Sequence, residues 1–99
     1  MAEISKTDWL KLEQAALAFD DWGMPWLFKP FVCGKLYNSA IMCEAFEAIW
    51  ICGSDYANWQ SSDLAECARV AAHKVKDCFP SLAPEVADLI VRAISYDWR

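Results

Sequence analysis

The stretch SAIMCEAFEAIWIC, residues 39–52, decides the fold, because Ser39, Glu44 and Glu47 are its only polar residues. A segment this apolar needs burial on most of its sides. It is shorter than the roughly 20 apolar residues of a membrane span, and two carboxylates lie in its middle. We therefore predict a buried helix at the centre of a globular domain, with no attachment to a membrane.

The two ends of this helix carry residues that commonly cap helices. Asn38 or Ser39 can accept a hydrogen bond from the first free amides, and Gly53 can end the helix in a left-handed conformation. Glu44 and Glu47, three residues apart, share one narrow polar stripe. The remaining sides of the helix are apolar. They are formed by Ile41, Phe46, Ile49 and Trp50, which we expect to pack against the rest of the domain.

Three amphipathic helices are predicted to cover the central one, because apolar residues recur in them at a spacing of three and four. The first covers 5–22 and stops at Gly23, the second covers 61–78, and the third covers about 82–96. Trp98 is expected to fold back on the core. The candidate N-caps of the three helices are Ser5, Ser61 or Ser62, and Ser81.

Two connections, 24–37 and 54–61, join these helices. In the first, Pro25, Pro30 and Gly34 argue against one long helix, while its aromatic residues argue against a solvated loop. A helical turn that starts at each proline is favoured, and a small hairpin at Cys33 and Gly34 is the alternative.

Length and composition fit one all-α domain. A chain of this length buries about 65% of its unfolded surface. Its hydrophobic content of 57% then provides one self-sufficient core. We predict a compact single-domain bundle over residues 1–99, with four main helices around the central apolar helix at about 39–52.

The charge balance restricts the class of partner. Fourteen acidic residues against nine basic ones give a formal net charge of −5. Such a chain lacks the clustered Lys and Arg that neutralise nucleic-acid phosphates, so direct binding of nucleic acid is not expected. An acidic face that meets a basic partner is the alternative to ordinary solvated surface.

The chain has five cysteines, at positions 33, 43, 52, 67 and 78. No two of them form a CxxC motif, and no signal sequence precedes them. This pattern predicts a cytoplasmic protein with free thiols that behave as small buried hydrophobes. His73, the only histidine, lacks zinc-site spacing and shares no helical face with Cys67 or Cys78. We expect no metal and no cofactor.

No catalytic motif is present. The sequence contains no Gly-rich phosphate loop, HExxH, EF-hand pattern or G-x-S-x-G. Glu44 and Glu47 are the best candidates for a working pair, but a di-iron bundle needs more than one histidine. We predict a protein that is not an enzyme. An enzyme or a thiol-based sensor is the third hypothesis, after a binding protein and a homodimer. The two glutamates form either a polar stripe that reaches water or an acidic contact at the edge of a partner site.

Aromatic residues on the two connections are the candidate contact residues, because Trp and Tyr dominate the energetics of protein interfaces. Acidic groups beside them would steer a basic partner. The alternative is that these aromatic side chains only cap the ends of the helical core. The aromatic candidates are Trp26, Phe28, Tyr56 and Trp59, and the acidic ones are Asp20, Asp21 and Asp55.

In size, acidity and tryptophan content, with six Trp in 99 residues, the chain resembles small acidic proteins of phages and mobile elements that block host defence complexes, such as anti-CRISPR proteins. The resemblance implies an inhibitor that binds a basic surface of a protein or nucleoprotein complex. The alternative is a structural or regulatory homodimer that buries segment 24–37 against its own copy.

Overall fold

The computed structural model describes residues 5–98 and contains, within that range, five α-helices, three 3-10 turns and no strand. The all-α prediction is confirmed, with one helix more than the four main helices expected. The helices are α1 (Lys6–Leu17), α2 (Phe28–Leu36), α3 (Ala40–Gly53), α4 (Leu64–Cys78) and α5 (Pro84–Ser95). The 3-10 turns are Pro25–Leu27, Tyr56–Trp59 and Tyr96–Trp98.

The prediction of a helical turn at each proline is confirmed at Pro25, where a 3-10 turn begins, whereas around Pro30 the chain forms a full helix, α2, which is the fifth helix. The hairpin alternative is wrong. Pro30 is the third residue of α2, where its missing amide has no partner to lose. Phe28, Val32 and Leu36 recur every four residues and are buried, so α2 packs on the core through one face.

The N-terminus of α3 forms as predicted, and its C-terminus does not. The Met42 N–H donates to Ser39 Oγ over 3.2 Å, which confirms Ser39 as the cap. Gly53 is the last residue of the helix and has no positive φ, so a left-handed ending is wrong. Glycine fits here because a Cβ would lie 2.7 Å from Ile94 Cδ1 on α5.

Two side chains from the following turn satisfy the last carbonyls of α3. Asn58 Nδ2 donates to the Cys52 carbonyl over 3.0 Å, and the Trp59 indole N–H donates to the Gly53 carbonyl over 2.9 Å. Both side chains are buried. Because these bonds pair the carbonyls that a helix end leaves free, a left-handed glycine is not needed.

α3 contacts each of the other four helices. Phe46 and Ile49 are fully buried, and only Ala40, Ile41, Glu44 and Ile51 of its fourteen residues are exposed. Burial on most sides is therefore confirmed, whereas the expected burial of Ile41 is wrong. The most buried helix is α5, whose buried residues are Val86, Ala87, Ile90, Val91, Ala93, Ile94 and Ser95.

α1 begins at the predicted cap and ends earlier than predicted. The Asp8 N–H donates to Ser5 Oγ over 3.1 Å. The helix stops at Leu17 rather than near residue 22. The chain turns there because Phe19 and Trp22 pack on Phe28, each with its ring centroid 5.5 Å from that ring.

The caps of α4 and α5 differ from those predicted. Asp63, rather than either preceding serine, caps α4 by accepting two amide hydrogen bonds. Ala83, rather than Ser81, is the N-cap residue of α5. Its N–H donates over 2.7 Å to Oε2 of Glu13, a side chain from the middle of α1. The start of α5 is thus capped by a residue seventy positions away.

Candidate interaction surface

The two segments with candidate contact residues meet on one side of the molecule. The Pro25–Leu27 turn contacts the Tyr96–Trp98 turn at the C-terminal end of the described chain. The ring of Trp98 lies in turn 6.2 Å from the ring of Tyr56, measured between centroids. The last turn therefore connects the two segments into one surface.

Trp98 is held in place by a buried partner. Its ring stacks on that of Trp59 at 5.7 Å between centroids and 4° between planes. Trp59 is fixed by its hydrogen bond to the Gly53 carbonyl. The prediction that Trp98 folds back on the core is confirmed, yet 37% of its surface remains exposed.

Two shallow pockets mark this surface, with volumes of about 240 and about 490 Å³. They share Trp50 and Asp97 as lining residues, so they lie side by side on the same surface. Trp26, Ile51 and Tyr56 stand around them with 66%, 64% and 70% of their surfaces exposed. We call this surface the aromatic face; it consists of Trp26, Trp50, Ile51, Asp55, Tyr56, Asp97 and Trp98.

Among the described residues, the aromatic face owes its net negative charge to Asp97, because its other charged residue, Asp55, is paired with Lys74 at 3.0 Å. Lys29, beside Trp50, is neutralised by Glu47 Oε1 at 3.0 Å. Asp97 is exposed and has no ion pair with any residue in the range 5–98.

Asp55 is ordered by two partners. Its carboxylate accepts the Ala57 N–H over 3.0 Å, and Lys74 Nζ lies 3.0 Å from the second oxygen. The backbone hydrogen bond from Ala57, followed by the contact with Lys74, lowers the pKa of Asp55. Asp55 therefore stays ionised at neutral pH and holds the 3-10 turn of Tyr56 in place.

The structure divides the nine predicted site residues into three groups. Trp26, Tyr56 and Asp55 belong to the aromatic face. Phe28 and Trp59 are buried, so for these two the core-cap alternative describes the structure and no surface is offered to a partner. The third group, which lies outside the aromatic face and outside the buried core, consists of Asp20, Asp21, Glu44 and Glu47. Asp20, Asp21 and Glu44 are exposed, and Glu47 reaches the face only through Lys29.

Four residues of the aromatic face were not identified as contact residues from the sequence. Trp50 was assigned to the core, and Ile51 was not distinguished from its apolar neighbours. Ile51 is five positions from Phe46, about half a turn around the helix, and this offset was the available signal. No local pattern in the sequence indicates that Asp97 and Trp98 belong to a contact surface. Their place in the aromatic face depends on how the Tyr96–Trp98 turn packs on the rest of the fold.

The thiols form no metal site. All five cysteines are free, and residues 5–98 contain no group of three or more His, Cys, Asp or Glu side chains able to hold a metal ion. Burial, together with a hydrogen bond involving Cys78, raises the pKa of Cys52 to about 11. Cys52 is therefore a neutral thiol rather than a nucleophilic thiolate at physiological pH.

Within residues 5–98, no helix combines the length and the apolar character needed to cross a bilayer. Comparison of the chain with protein-family models, with curated proteins and with solved structures gave no match.

Proposed function

We propose that this protein is not an enzyme and acts by binding a macromolecular partner through the aromatic face. The observation that supports this most strongly is that three separate parts of the chain bring exposed aromatic side chains to one surface. Trp26 comes from the first, Tyr56 from the second and Trp98 from the third. Contiguous exposed apolar surface of this kind typically marks an interaction site.

The chemistry of the face favours a basic partner. The chain carries a net charge of −5, and Asp55 and Asp97 lie among the aromatic side chains. A basic protein or nucleoprotein surface would be steered towards such a face, with association slowing as salt is added. Occupation of a basic groove meant for nucleic acid, as in the inhibitors that the chain resembles in size and composition, is the specific mode we propose. Five free thiols favour a reducing, cytoplasmic setting.

A homodimer through segment 24–37 is the second candidate. It is favoured by the exposure of Met24, Trp26 and Leu27 in that segment. Phe28, Val32 and Leu36 of the same segment are already buried in the monomer, which reduces the apolar area left for a second copy. Light scattering at micromolar concentration separates the candidates, because the binding proposal expects a monomer.

The proposal is tested by footprinting a captured complex. The protein serves as bait in a lysate of its source cells, and the isolated complex is exposed to hydroxyl radicals. Oxidation of Trp26, Tyr56 and Trp98 should fall relative to the free protein. Tyr37, which is 75% exposed at the end of α2, is the internal control and should react equally in both states. Protection of Tyr37 without protection of the aromatic face, or failure to capture any partner, would refute the proposal.

A further inference from the structure

The surface between α4 and α5 contains a further depression, a groove of about 720 Å³. Its floor is made of small side chains: Ala65, Ala68 and Ala72 follow one another along α4, and Val91 faces them from α5. Their spacing of three and four residues places the three alanines on one side of α4. Small residues in this arrangement leave room for another backbone to approach closely.

The edges of the groove are basic. Arg69, His73 and Lys76 follow one another along α4, and Arg92 stands across from them on α5. Within residues 5–98, Arg69 has no ion pair. The guanidinium of Arg92 lies 4.3 Å from the ring centroid of Trp22, which holds it in position without neutralising it.

Two of the four basic groups form ion pairs with acidic side chains of the same chain. Lys76 Nζ lies 2.9 Å from Asp88 Oδ1, and His73 Nε2 lies 3.7 Å from Asp77 Oδ2. Arg69 is therefore the groove cation without an acidic partner among the described residues, and Arg92, whose guanidinium stacks on Trp22, adds a second positive charge at the border of the groove. This is a basic surface on a chain whose overall charge is −5.

An apolar floor between basic edges fits a ligand that is apolar on one side and acidic along its borders. The groove runs from Ala65 to Lys76. That length of helix is about 17 Å, or three turns. We propose that the α4–α5 groove binds an amphipathic α-helix of about 12 residues, supplied by a partner protein, whose apolar face is bordered by Asp and Glu.

Other occupants fit the groove less well. A small-molecule pocket buries about 70–90% of its ligand. Here Arg69 and Val70 are exposed, so the walls are too open. A symmetric contact with a second copy would bring the basic edges together, and the net charge opposes nucleic acid. The groove shares no residue with the aromatic face, so each surface can be changed without the other.

Binding is measured by fluorescence anisotropy with a labelled synthetic helix that has leucines on one face and glutamates beside them. Arg69→Glu should weaken binding at least about tenfold. Ala65→Trp, which fills the floor without a change of charge, should weaken it as well. Lys11→Glu is the matched control, because Lys11 is an exposed cation on α1 outside the groove, and should change the affinity less than about twofold.

Circular dichroism confirms that each variant is folded, and Ala65→Trp remains decisive if Arg69→Glu does not fold. The same helix with lysines in place of glutamates, and a single-stranded DNA oligonucleotide, should bind far more weakly than the acidic helix. The proposal is overturned if the acidic helix does not bind, if Lys11→Glu weakens it as much as Arg69→Glu, or if either comparison ligand binds as tightly.

Discussion

Gly53 and Gly34 both lie inside helices and differ in what surrounds them. A Cβ at Gly34 would meet nothing within 4 Å, whereas at Gly53 it would lie 2.7 Å from Ile94 Cδ1 and 3.4 Å from Val75 Cγ2. Gly34→Ala should raise the free energy of unfolding by about 0.5–1 kcal/mol, because alanine favours a helix. Gly53→Ala should be less stable than Gly34→Ala by about 1–3 kcal/mol, because the methyl group overpacks the core.

Urea denaturation of the two glycine variants and wild type measures this difference. Equal gains in stability at both positions would show that α3 and α5 do not approach as closely as the structure places them.

Glu13 connects α1 to the first turn of α5. Its carboxylate accepts the Ala83 N–H over 2.7 Å, in the role of an N-cap that α5 lacks locally. Glu13→Ala should lower the free energy of unfolding by about 1–2 kcal/mol, because a charge-assisted cap is lost. Gln14→Ala is the control, since Gln14 is exposed beside it. Thermal or urea unfolding that gave the same midpoint for both variants would contradict this role.

The thiol of Cys52 makes stability depend on pH in the alkaline range. Burial and the hydrogen bond with Cys78 raise its pKa from 9.0 to about 11 in the folded protein. Between these values the unfolded chain has lost the proton that the folded protein keeps, so stability should fall as pH rises from about 9 to about 11.

Cys52→Ala isolates this contribution from those of lysine and tyrosine. The variant should lose less stability than wild type over the alkaline interval, as measured by unfolding at several pH values. Parallel pH profiles for the two proteins would mean that the Cys52 thiol titrates normally in the folded state.

Contacts of single residues were predictable from the sequence where both partners are close together in the chain. Ser5 and Ser39 cap helices through amides three residues ahead, and that spacing can be read directly. Asn58 reaches the end of α3 from the next turn, and Glu13 reaches Ala83 across the fold. These contacts depend on packing, which no local pattern encodes.

At the scale of an element, the two sides of α3 differ sharply. Phe46 and Ile49 are fully buried, whereas Ile51 is 64% exposed. Phe46→Ala or Ile49→Ala should each lower the free energy of unfolding by about 2–5 kcal/mol, because each leaves a cavity. Ile51→Ala, in the same helix, should change it by less than about 0.5 kcal/mol.

Denaturant unfolding of the three α3 variants checks this assignment. A large loss for Ile51→Ala, or wild-type stability for Phe46→Ala and Ile49→Ala, would show that the opposite side of α3 faces the core.

The helices were predictable where one side is apolar and the other polar, and less so elsewhere. α5 was located within two residues at its start and one at its end. α3 is apolar except for Glu44 and Glu47, and this polar stripe indicates the exposed side: Glu44 is exposed, and so is Ile51, four residues after Glu47. Segment 24–37 contains two prolines, and a helical turn at each was the favoured prediction. The sequence did not show that the helix around Pro30 begins two residues earlier, at Phe28, and continues to Leu36.

At the scale of the whole molecule, the aromatic face forms where parts of the chain that are distant in sequence meet. Trp26 and Tyr56 were identified from their places on the connections. Trp98, which joins them, is more than forty positions away from either in the sequence. The face and the α4–α5 groove are separate surfaces. Among residues 5–98, a carboxylate without an ion pair, Asp97, lies on the first, and a guanidinium without an ion pair, Arg69, lies on the second.

The central claim is that the aromatic face is the contact surface for a partner. The affinity of the isolated partner for the Trp26→Ala and Tyr37→Ala variants, measured by titration calorimetry, tests it most directly. Both residues are exposed aromatic side chains, but only Trp26 belongs to the face. Trp26→Ala should weaken binding by about 2 kcal/mol or more with unchanged unfolding, and Tyr37→Ala should have little effect. Wild-type affinity for Trp26→Ala, or a larger loss for Tyr37→Ala, would contradict the claim.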